Sequence, residues 1–351
     1  MPITLRAMVR VRDFVTLGIL SPGPQNAITD VAGVRVGHVS LAQDALRTGV
    51  TAVLPHTRNI YQEKVTAACA VLNGYGKSVG LMQIEELGTV ETPILITSTL
   101  NVPRVSDALI TYMLTQDDSI GRTETINPVV LECFDGYLSD ARARAVGERE
   151  VREAITTASD GPVGEGCVGA GVGMRCQGFK SGVGTASRLG GESGFTVGVL
   201  VVPNFGFPGD LVIAGVPVGR TLESVGQPSE RGSCIFVLAT DAPLASGDLR
   251  RLAWRCFLGM ARTGAISGQT SGDLAIAISA TPRRERVDRT VMNALFRAAV
   301  ESSEEAILNA LFMAETTTGR DAHTMPALPL PEVMMILQRH GVPVRAVGQK
   351  T

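Results

Sequence analysis

Apolar runs of five to eight residues alternate with glycine- and proline-rich turns along most of the chain. Runs of this length that are rich in β-branched residues and bounded by turn residues predict strands. Seven strands are predicted in this way, at residues 50–55, 67–72, 94–99, 129–133, 195–202, 234–240 and 274–279.

Four further segments have the spacing of apolar residues that predicts helices. They cover residues 103–113, with Asn101 as a candidate cap, and residues 148–158, 249–260 and 288–314. The last is predicted to be two helices, broken near the polar stretch at residues 301–303. Because no linker or low-complexity segment divides the chain, we predict a single α/β domain over residues 1–351, layered helix–sheet–sheet–helix.

Composition narrows the possible classes of protein. The 351 residues exceed the length at which one core usually splits, although α/β chains of this size can remain one unit. A formal net charge of −2 and the lack of any Lys/Arg block argue against a nucleic-acid partner. No apolar stretch is long enough to span a membrane, and the N-terminus lacks a signal-peptide pattern. Six scattered cysteines without a C-x-x-C pair predict free thiols and a cytoplasmic protein.

Two familiar kinds of site are not favoured by the spacing of residues. The four histidines form no close metal pair, and a Ser-His-Asp triad could be assembled only from distant positions. We therefore expect no metal or organic cofactor. Residues 164–169 match G-x-G-x-x-G, but a predicted helix and a turn precede them where a nucleotide loop requires a strand. Close backbone packing is the preferred interpretation there.

The Gly232–Ser233 bond is the first candidate for chemistry, because it lies where a polar, turn-prone stretch (226–232) enters a predicted strand. Glycine permits close access to its carbonyl group. Cleavage after Gly232 would leave Ser233 with a hydroxyl nucleophile and an α-amine whose ordinary pKa lies near ~8, suited to a general base. Alone, the dipeptide also fits an ordinary loop that enters a buried strand.

Polar residues follow or precede three other predicted strands. Asn204 follows the strand at 195–202, where its amide can donate to an oxyanion, or simply form a turn. Residues 132–137 present Glu132, Asp135 and Tyr137: a carboxylate there can bind a substrate ammonium, and the phenol can donate to an oxyanion. The alternative is a capped turn.

Ser271 and Asp273 precede the strand at 274–279. A hydroxyl and a carboxylate at that point can orient the amine of Ser233, and the same residues can also make an ordinary tight turn.

These motifs together resemble the family of L-aminopeptidases/D-alanine esterase-amidases, which includes β-peptidyl aminopeptidases and, more distantly, nylon-oligomer hydrolases. The matching segments run through nearly the whole chain, at residues 26–38, 73–77, 132–137, 169–174, 178–188, 204–206, 232–233, 239–244, 261–264, 271–273 and 316–321. One departure is Cys234, where relatives often carry an aliphatic residue. A buried cysteine packs as a small hydrophobe, so little effect on the chemistry is expected.

The resemblance implies an αββα sandwich that cleaves itself between Gly232 and Ser233 into chains 1–232 and 233–351. Ser233 would be the N-terminal nucleophile, Asn204 the oxyanion donor and Tyr137 the tyrosine near the nucleophile. Ser271 and Asp273 match the Ser-Gly-acid motif that positions the amine. Glu132 is our choice for the substrate amine, with Asp135 close enough to compete.

The implied activity is that of an aminopeptidase or amidase acting on small peptides, amides or esters with a free amine, assembled as a homotetramer. Two alternatives remain open at this point. The first is an N-acyltransferase of the ornithine acetyltransferase type, which uses threonine as its nucleophile. The second is a non-enzymatic binding protein that has kept the fold.

Overall fold

Two stacked β-sheets with helices on both outer sides form the protein in a computed structural model that describes residues 9–191, 194–222, 232–281 and 287–345. The predicted turn-prone stretch at 226–231 and the first eight residues lie outside the described residues. All seven predicted strands are present.

The first sheet has four strands in the order β1–β2–β5–β6. Their bounds are Arg35–Leu41 for β1, Thr48–Leu54 for β2, Ile94–Ser98 for β5 and Val129–Cys133 for β6. β5 and β6 are parallel, and the other neighbours are antiparallel.

The second sheet has six strands in the order β4–β3–β12–β11–β10–β9. Their bounds are Thr89–Val90 for β4, Val65–Gly74 for β3, Ser271–Ser279 for β12, Gly232–Thr240 for β11, Thr196–Asn204 for β10 and Gly184–Leu189 for β9. β11 and β12 are its parallel pair, so both strands begin at the same edge of the sheet. Two short hairpins complete the strands: β7 (Arg175–Cys176) with β8 (Phe179–Lys180), and β13 (Thr317–Thr318) with β14 (Thr324–Met325).

Helices cover the outer face of each sheet. The helices are α1 (Val11–Phe14), α2 (Leu81–Leu87), α3 (Val102–Leu114), α4 (Glu148–Thr156), α5 (Ser246–Arg262), α6 (Arg289–Phe312) and α7 (Leu330–Arg339). α3 and α4 pack on the first sheet, whereas α5 and α6 pack on the second. This arrangement confirms the predicted helix–sheet–sheet–helix layers.

The central strands β10, β11 and β12 are apolar in their middle parts because both of their faces are buried there. In β11, Ile235 and Val237 belong to the core cluster between the sheets, while Phe236 and Leu238 belong to the cluster under α5 and α6. Successive side chains of a strand point to opposite faces, so a continuous apolar run fills both cores at once.

The predicted break in the last long helix is wrong, since α6 continues from Arg289 to Phe312. Polar side chains in its middle are buried and bound from outside the helix. Glu301 accepts hydrogen bonds from the main-chain N–H groups of Ile19 and Leu20, both at 3.1 Å, and pairs with Arg188 at 3.3 Å. Partners that are distant in sequence therefore stabilise this polar part of α6, which the local sequence pattern predicts to be a break in the helix.

Two smaller expectations had different outcomes. Asn101 precedes α3, as predicted, but its side chain makes no capping hydrogen bond, because the helix is entered through a 3-10 turn at Thr99–Asn101. Close packing at residues 164–169 is confirmed: Gly166 has φ +75°, and a Cβ atom there would lie 2.3 Å from the Met313 carbonyl oxygen. Only glycine fits both constraints.

Candidate active site

Ser233 and Asn204 lie directly opposite each other where β11 begins and β10 ends. Both are buried, with 6% and 4% of their surface exposed. Asn204 Oδ1 accepts a hydrogen bond from the Arg175 N–H at 3.1 Å, and Nδ2 donates to the Phe134 carbonyl at 2.9 Å. Since an amide nitrogen carries two hydrogens, the orientation of Asn204 is set while a second donor remains for another group.

Two glycines let backbone and nucleophile approach closely at this edge. A Cβ atom on Gly232 would lie 2.3 Å from the Asn204 carbonyl oxygen. Gly272 pairs with Ser233 in the parallel ladder, and a Cβ there would lie 2.8 Å from the Gly76 nitrogen and 3.0 Å from Ser233 Oγ. The Ser233 hydroxyl therefore lies in a narrow space beside Gly272, which no larger residue can line without displacing its neighbours.

Ser271 and Asp273 form a hydrogen-bonded pair beside the same strand. Ser271 Oγ donates to Asp273 Oδ1 at 2.7 Å, and the Ser267 hydroxyl contacts the other carboxyl oxygen. Burial raises the pKa of Asp273, opposed by hydrogen bonds from both hydroxyls and from the Cys234 N–H. Because Ser271 pairs with Gly232 in the ladder, the pair lies next to the Gly232–Ser233 backbone.

Glu132 reaches this region from the first sheet. It is the fourth residue of β6 and is only 2% exposed. Its Oε1 accepts the Lys77 N–H at 2.8 Å and lies 3.3 Å from where a Cβ of Gly76 would be, and its Oε2 accepts the Thr99 hydroxyl. Within the described part of the chain, Glu132 forms no ion pair, so its carboxylate can accept a cation close to Gly76, the neighbour of Gly272.

Asp135 occupies a different environment. Its carboxyl accepts the Ser98 hydroxyl at 2.7 Å, and its main-chain oxygen accepts the N–H groups of Leu138 and Ser139 at 3.1 and 3.0 Å. Complete burial is the main cause that raises the pKa of Asp135 to about 6. These contacts make Asp135 a residue that holds the 134–139 turn, and no hydrogen bond among the described residues joins it to Ser233.

Tyr137 is half-buried between two side chains. Its ring stacks on His323, with centroids 4.7 Å apart and planes 12° apart, and the guanidinium carbon of Arg175 lies 4.3 Å from its centroid. Arg175 also donates its main-chain N–H to Asn204, so it contacts both Tyr137 and the amide that faces Ser233. Its hydroxyl makes no hydrogen bond to another described residue.

The structure thus brings Gly232, Ser233, Asn204, Ser271 and Asp273 together on three adjacent strands, with Glu132 facing them and Tyr137 alongside. Sequence reasoning missed the roles of Gly76, Thr99, Arg175, Ser267 and His323 around these residues. Of these residues, only Gly76 lies in a segment that resembles the family, at residues 73–77, and nothing in the local sequence pattern marks the others. In the described ranges no three His, Cys, Asp or Glu side chains group to hold a metal ion.

Comparison with solved structures gives the class of protein. An L-aminopeptidase D-Ala-esterase/amidase from Ochrobactrum anthropi, described as a variant of the Ntn-hydrolase fold, matches with a TM-score of 0.88 at 36% identity, over 95% of this chain and 99% of that one. A protein from Pyrococcus horikoshii OT3 matches with a TM-score of 0.91 at 44% identity, over 95% and 100%. The chain is a hydrolase of the α/β class whose structural neighbours include an Ntn-hydrolase variant.

Sequence comparison gives the family. The model of peptidase family S58 matches residues 26–325, so the chain belongs to that family. The beta-peptidyl aminopeptidase BapA of Sphingosinicella microcystinivorans is 38% identical in an alignment that covers 94% of this chain and 92% of the relative. The chain is therefore an enzyme of the peptidase and amidase class, as its sequence predicts. None of the described helices is long and apolar enough to cross a membrane.

Proposed function

We propose that the protein is a self-processing aminopeptidase whose nucleophile is Ser233. One observation carries the proposal: the Ser233 hydroxyl is buried at the start of a central strand. Ser233 directly follows a glycine and lies between Asn204 and Gly272 of the two neighbouring strands. In the precursor, Ser233 Oγ attacks the Gly232 carbonyl carbon, and the peptide C–N bond breaks to form an ester. Water hydrolyses the ester, which leaves a Gly232 carboxylate and a free Ser233 amine.

In the mature enzyme, the Ser233 hydroxyl attacks the substrate carbonyl. The Ser233 amine accepts the proton, so no histidine is needed. The hydrogen-bonded Ser271–Asp273 pair next to that backbone supports a role in orienting the amine. Asn204 Nδ2 and the Tyr137 hydroxyl donate to the oxyanion. When the tetrahedral intermediate collapses, the bond from the carbonyl carbon to the leaving amine or alcohol breaks, and the Ser233 ammonium returns its proton to the leaving group. Water then hydrolyses the ester of the acyl-enzyme, which frees the acid and regenerates the Ser233 hydroxyl. No step requires a metal or an organic cofactor.

Glu132 binds the free amine of the substrate in this proposal. It is supported by the burial of that carboxylate, by its two hydrogen-bond donors and by the lack of an ion pair with any described residue. The names of the relatives include β-peptidyl and L-aminopeptidases, so we propose short peptides, amides or esters with a free N-terminal amine as substrates.

The compartment and the assembly of the enzyme belong to the same proposal. The six free cysteines suit a cytoplasmic enzyme, because disulfides are rare in that compartment. A homotetramer of processed protomers is the proposed assembly, to be measured by light scattering coupled to size-exclusion chromatography. The acyltransferase and the non-enzymatic binding protein are not favoured, since the family and the named relatives are peptidases.

A denaturing gel with N-terminal sequencing tests processing. Active wild-type protein should give two bands, of about two-thirds and one-third of the chain mass, the smaller one beginning Ser-Cys-Ile-Phe. Ser233→Ala should remain full-length and inactive, because one hydroxyl serves both reactions. An active preparation that runs as a single full-length band would overturn the proposal, as would wild-type turnover in Ser233→Ala.

A further inference from the structure

A cavity separate from the candidate active site lies at the opposite edge of the first sheet. It encloses about 320 Å³ between the start of β1, the end of β2, the loop that follows β2 and the end of α3. Its polar lining consists of Arg35, His56, Thr57, Arg58, Asn59, Tyr112 and Gln116. β5 begins beside Pro93 of the cavity and ends at Ser98, which binds Asp135, so about 16 Å of strand separates the two regions.

Among the described residues that line the cavity, Arg35 is a cation without a paired anion. Its Nε atom is buried without a hydrogen-bond partner, and no ion pair among the described residues includes it. The other cation of the cavity, Arg58, already pairs with Glu63 at 3.0 Å. No carboxylate is among the described residues that line the cavity. A bound carboxylate can pair with the terminal nitrogens of the Arg35 guanidinium, which forms no ion pair with any described residue.

The remaining polar groups favour an anion over a cation. Both ring nitrogens of His56 already have partners, since Nε2 lies 2.8 Å from the Glu63 carbonyl oxygen and Nδ1 accepts the Arg58 N–H at 3.2 Å. The Gln116 carbonyl at the end of α3 is also occupied, by Asn59 Nδ2 at 3.1 Å. Burial raises the pKa of the Tyr112 phenol against the opposing charge of Arg35, so its hydroxyl remains a donor.

Apolar side chains form the rest of the wall. They are Leu54, Pro55, Ile60, Pro93 and Met113. A ligand that fits this lining carries one negative group for Arg35 and Tyr112 and a short hydrocarbon body for the apolar wall. The volume is within the range of small-molecule sites.

We propose that this cavity is a binding site for a small organic carboxylate with an apolar body, separate from the site that contains Ser233. The carboxylate accepts hydrogen bonds from the Arg35 guanidinium, which can engage both of its oxygens. The site is independent of the proposed peptidase mechanism, because none of its residues belongs to the candidate active site.

Isothermal titration calorimetry with sodium hexanoate tests this proposal on the full chain. Hexanoate should bind at one site per chain, at least about tenfold more tightly than hexanamide, because only the carboxylate forms charge-assisted hydrogen bonds. Arg35→Gln should weaken hexanoate binding at least about tenfold, and Arg35→Lys should restore part of it. Arg122→Gln, an exposed arginine outside the cavity, is the matched control and should bind as wild type does.

Four results would overturn the proposal: equal binding of hexanoate and hexanamide, unchanged binding in Arg35→Gln, no saturable binding, or tighter Arg35-dependent binding of inorganic phosphate than of hexanoate. Glu132→Gln and Ser233→Ala should bind hexanoate as wild type does, and a loss in either would place the ligand in the active site instead. If Arg35→Gln fails to fold by circular dichroism, Tyr112→Phe replaces it, with weakened binding expected and unchanged binding contradictory.

Discussion

Asn204 faces Ser233 directly across the antiparallel pair of β10 and β11, and both residues are buried. Directly opposed residues in such a pair lie about 4.5–5.5 Å apart at their Cα atoms. The amide is therefore fixed by strand register at the distance at which it can serve a group bound to the Ser233 hydroxyl.

Replacement of Asn204 separates its donor from its acceptor function. Asn204→Asp keeps an oxygen for the Arg175 N–H but removes the Nδ2 donor. We expect kcat to fall by about 10²–10³ in Asn204→Asp and in Asn204→Ala, with a smaller change in KM, as for loss of one oxyanion donor. Steady-state kinetics on processed protein measures this, and circular dichroism controls for folding. Near-wild-type kcat in Asn204→Asp would remove the oxyanion role.

The two acidic residues of the 132–137 segment should differ in effect. Glu132→Gln should lose most of the preference for an aminoacyl p-nitroanilide over its N-acetylated form, because a buried carboxylate gains from pairing with an ammonium and is left uncompensated without it. Asp135→Asn should keep the preference while lowering the melting temperature, since Asp135 holds the Ser98 hydroxyl and the turn. The reverse pattern would transfer the amine site to Asp135.

Gly272 should tolerate no side chain. Gly272→Ala places a Cβ 2.8 Å from the Gly76 backbone and 3.0 Å from Ser233 Oγ, so we expect loss of processing and activity. Gly247→Ala is the matched control: Gly247 lies in α5, and nothing lies within 4 Å of its Cβ position. There, alanine should add about 0.5–1 kcal/mol to the free energy of unfolding. Full activity of Gly272→Ala would contradict the narrow space described beside Ser233.

Glu165 should make stability depend on pH. Burial raises the pKa of this carboxyl to about 7, although Arg10 binds it. The folded protein then holds the proton more tightly than the unfolded chain, so stability falls as pH rises from about 4.5 to about 7 and levels off above that.

Denaturant unfolding of wild type and Glu165→Gln across that range measures the effect. The Gln oxygen can still accept the Thr185 N–H, which lies 2.8 Å from Glu165 Oε1. The stability of wild type relative to the variant should decline by at most about 3 kcal/mol over the window. Glu148→Gln, an exposed site on α4, is the control and should show no such decline. A relative stability that rises with pH would contradict the expectation.

Most of the fold could be predicted because buried strands have runs of apolar residues that are recognisable in the sequence. The middle parts of β11 and β12 are continuous apolar runs, since both of their faces are covered, and the approximate bounds of the two strands follow from this pattern. β9 (Gly184–Leu189) was missed because it contains buried polar residues, among them Thr185 and Arg188. Their partners are distant in sequence: Arg188 pairs with Glu301 and Glu305 of α6.

Some residues of the candidate site can be predicted from the sequence, whereas the environments of others cannot. Ser233, Asn204 and the Ser271–Asp273 pair lie at strand ends, and strand ends are visible in the sequence. The sequence leaves the choice between Glu132 and Asp135 open, because Glu132 lies in the last residues of a strand and Asp135 lies just after it. Their separate environments depend on Lys77, Thr99 and Ser98, which come from other parts of the chain. The stacking of Tyr137 on His323 joins residues that no local pattern connects.

The order of strands in the six-stranded sheet has a consequence for the life of the processed enzyme. β11 and β12 follow Gly232 in the chain, whereas their outer neighbours β10 and β3 precede it. Cleavage would leave the middle of one sheet on one polypeptide and both flanks on the other. Unfolding would then release two molecules, and recovery would require them to meet again in solution. The working lifetime of such an enzyme is a matter of how slowly it opens, not of an equilibrium between its states.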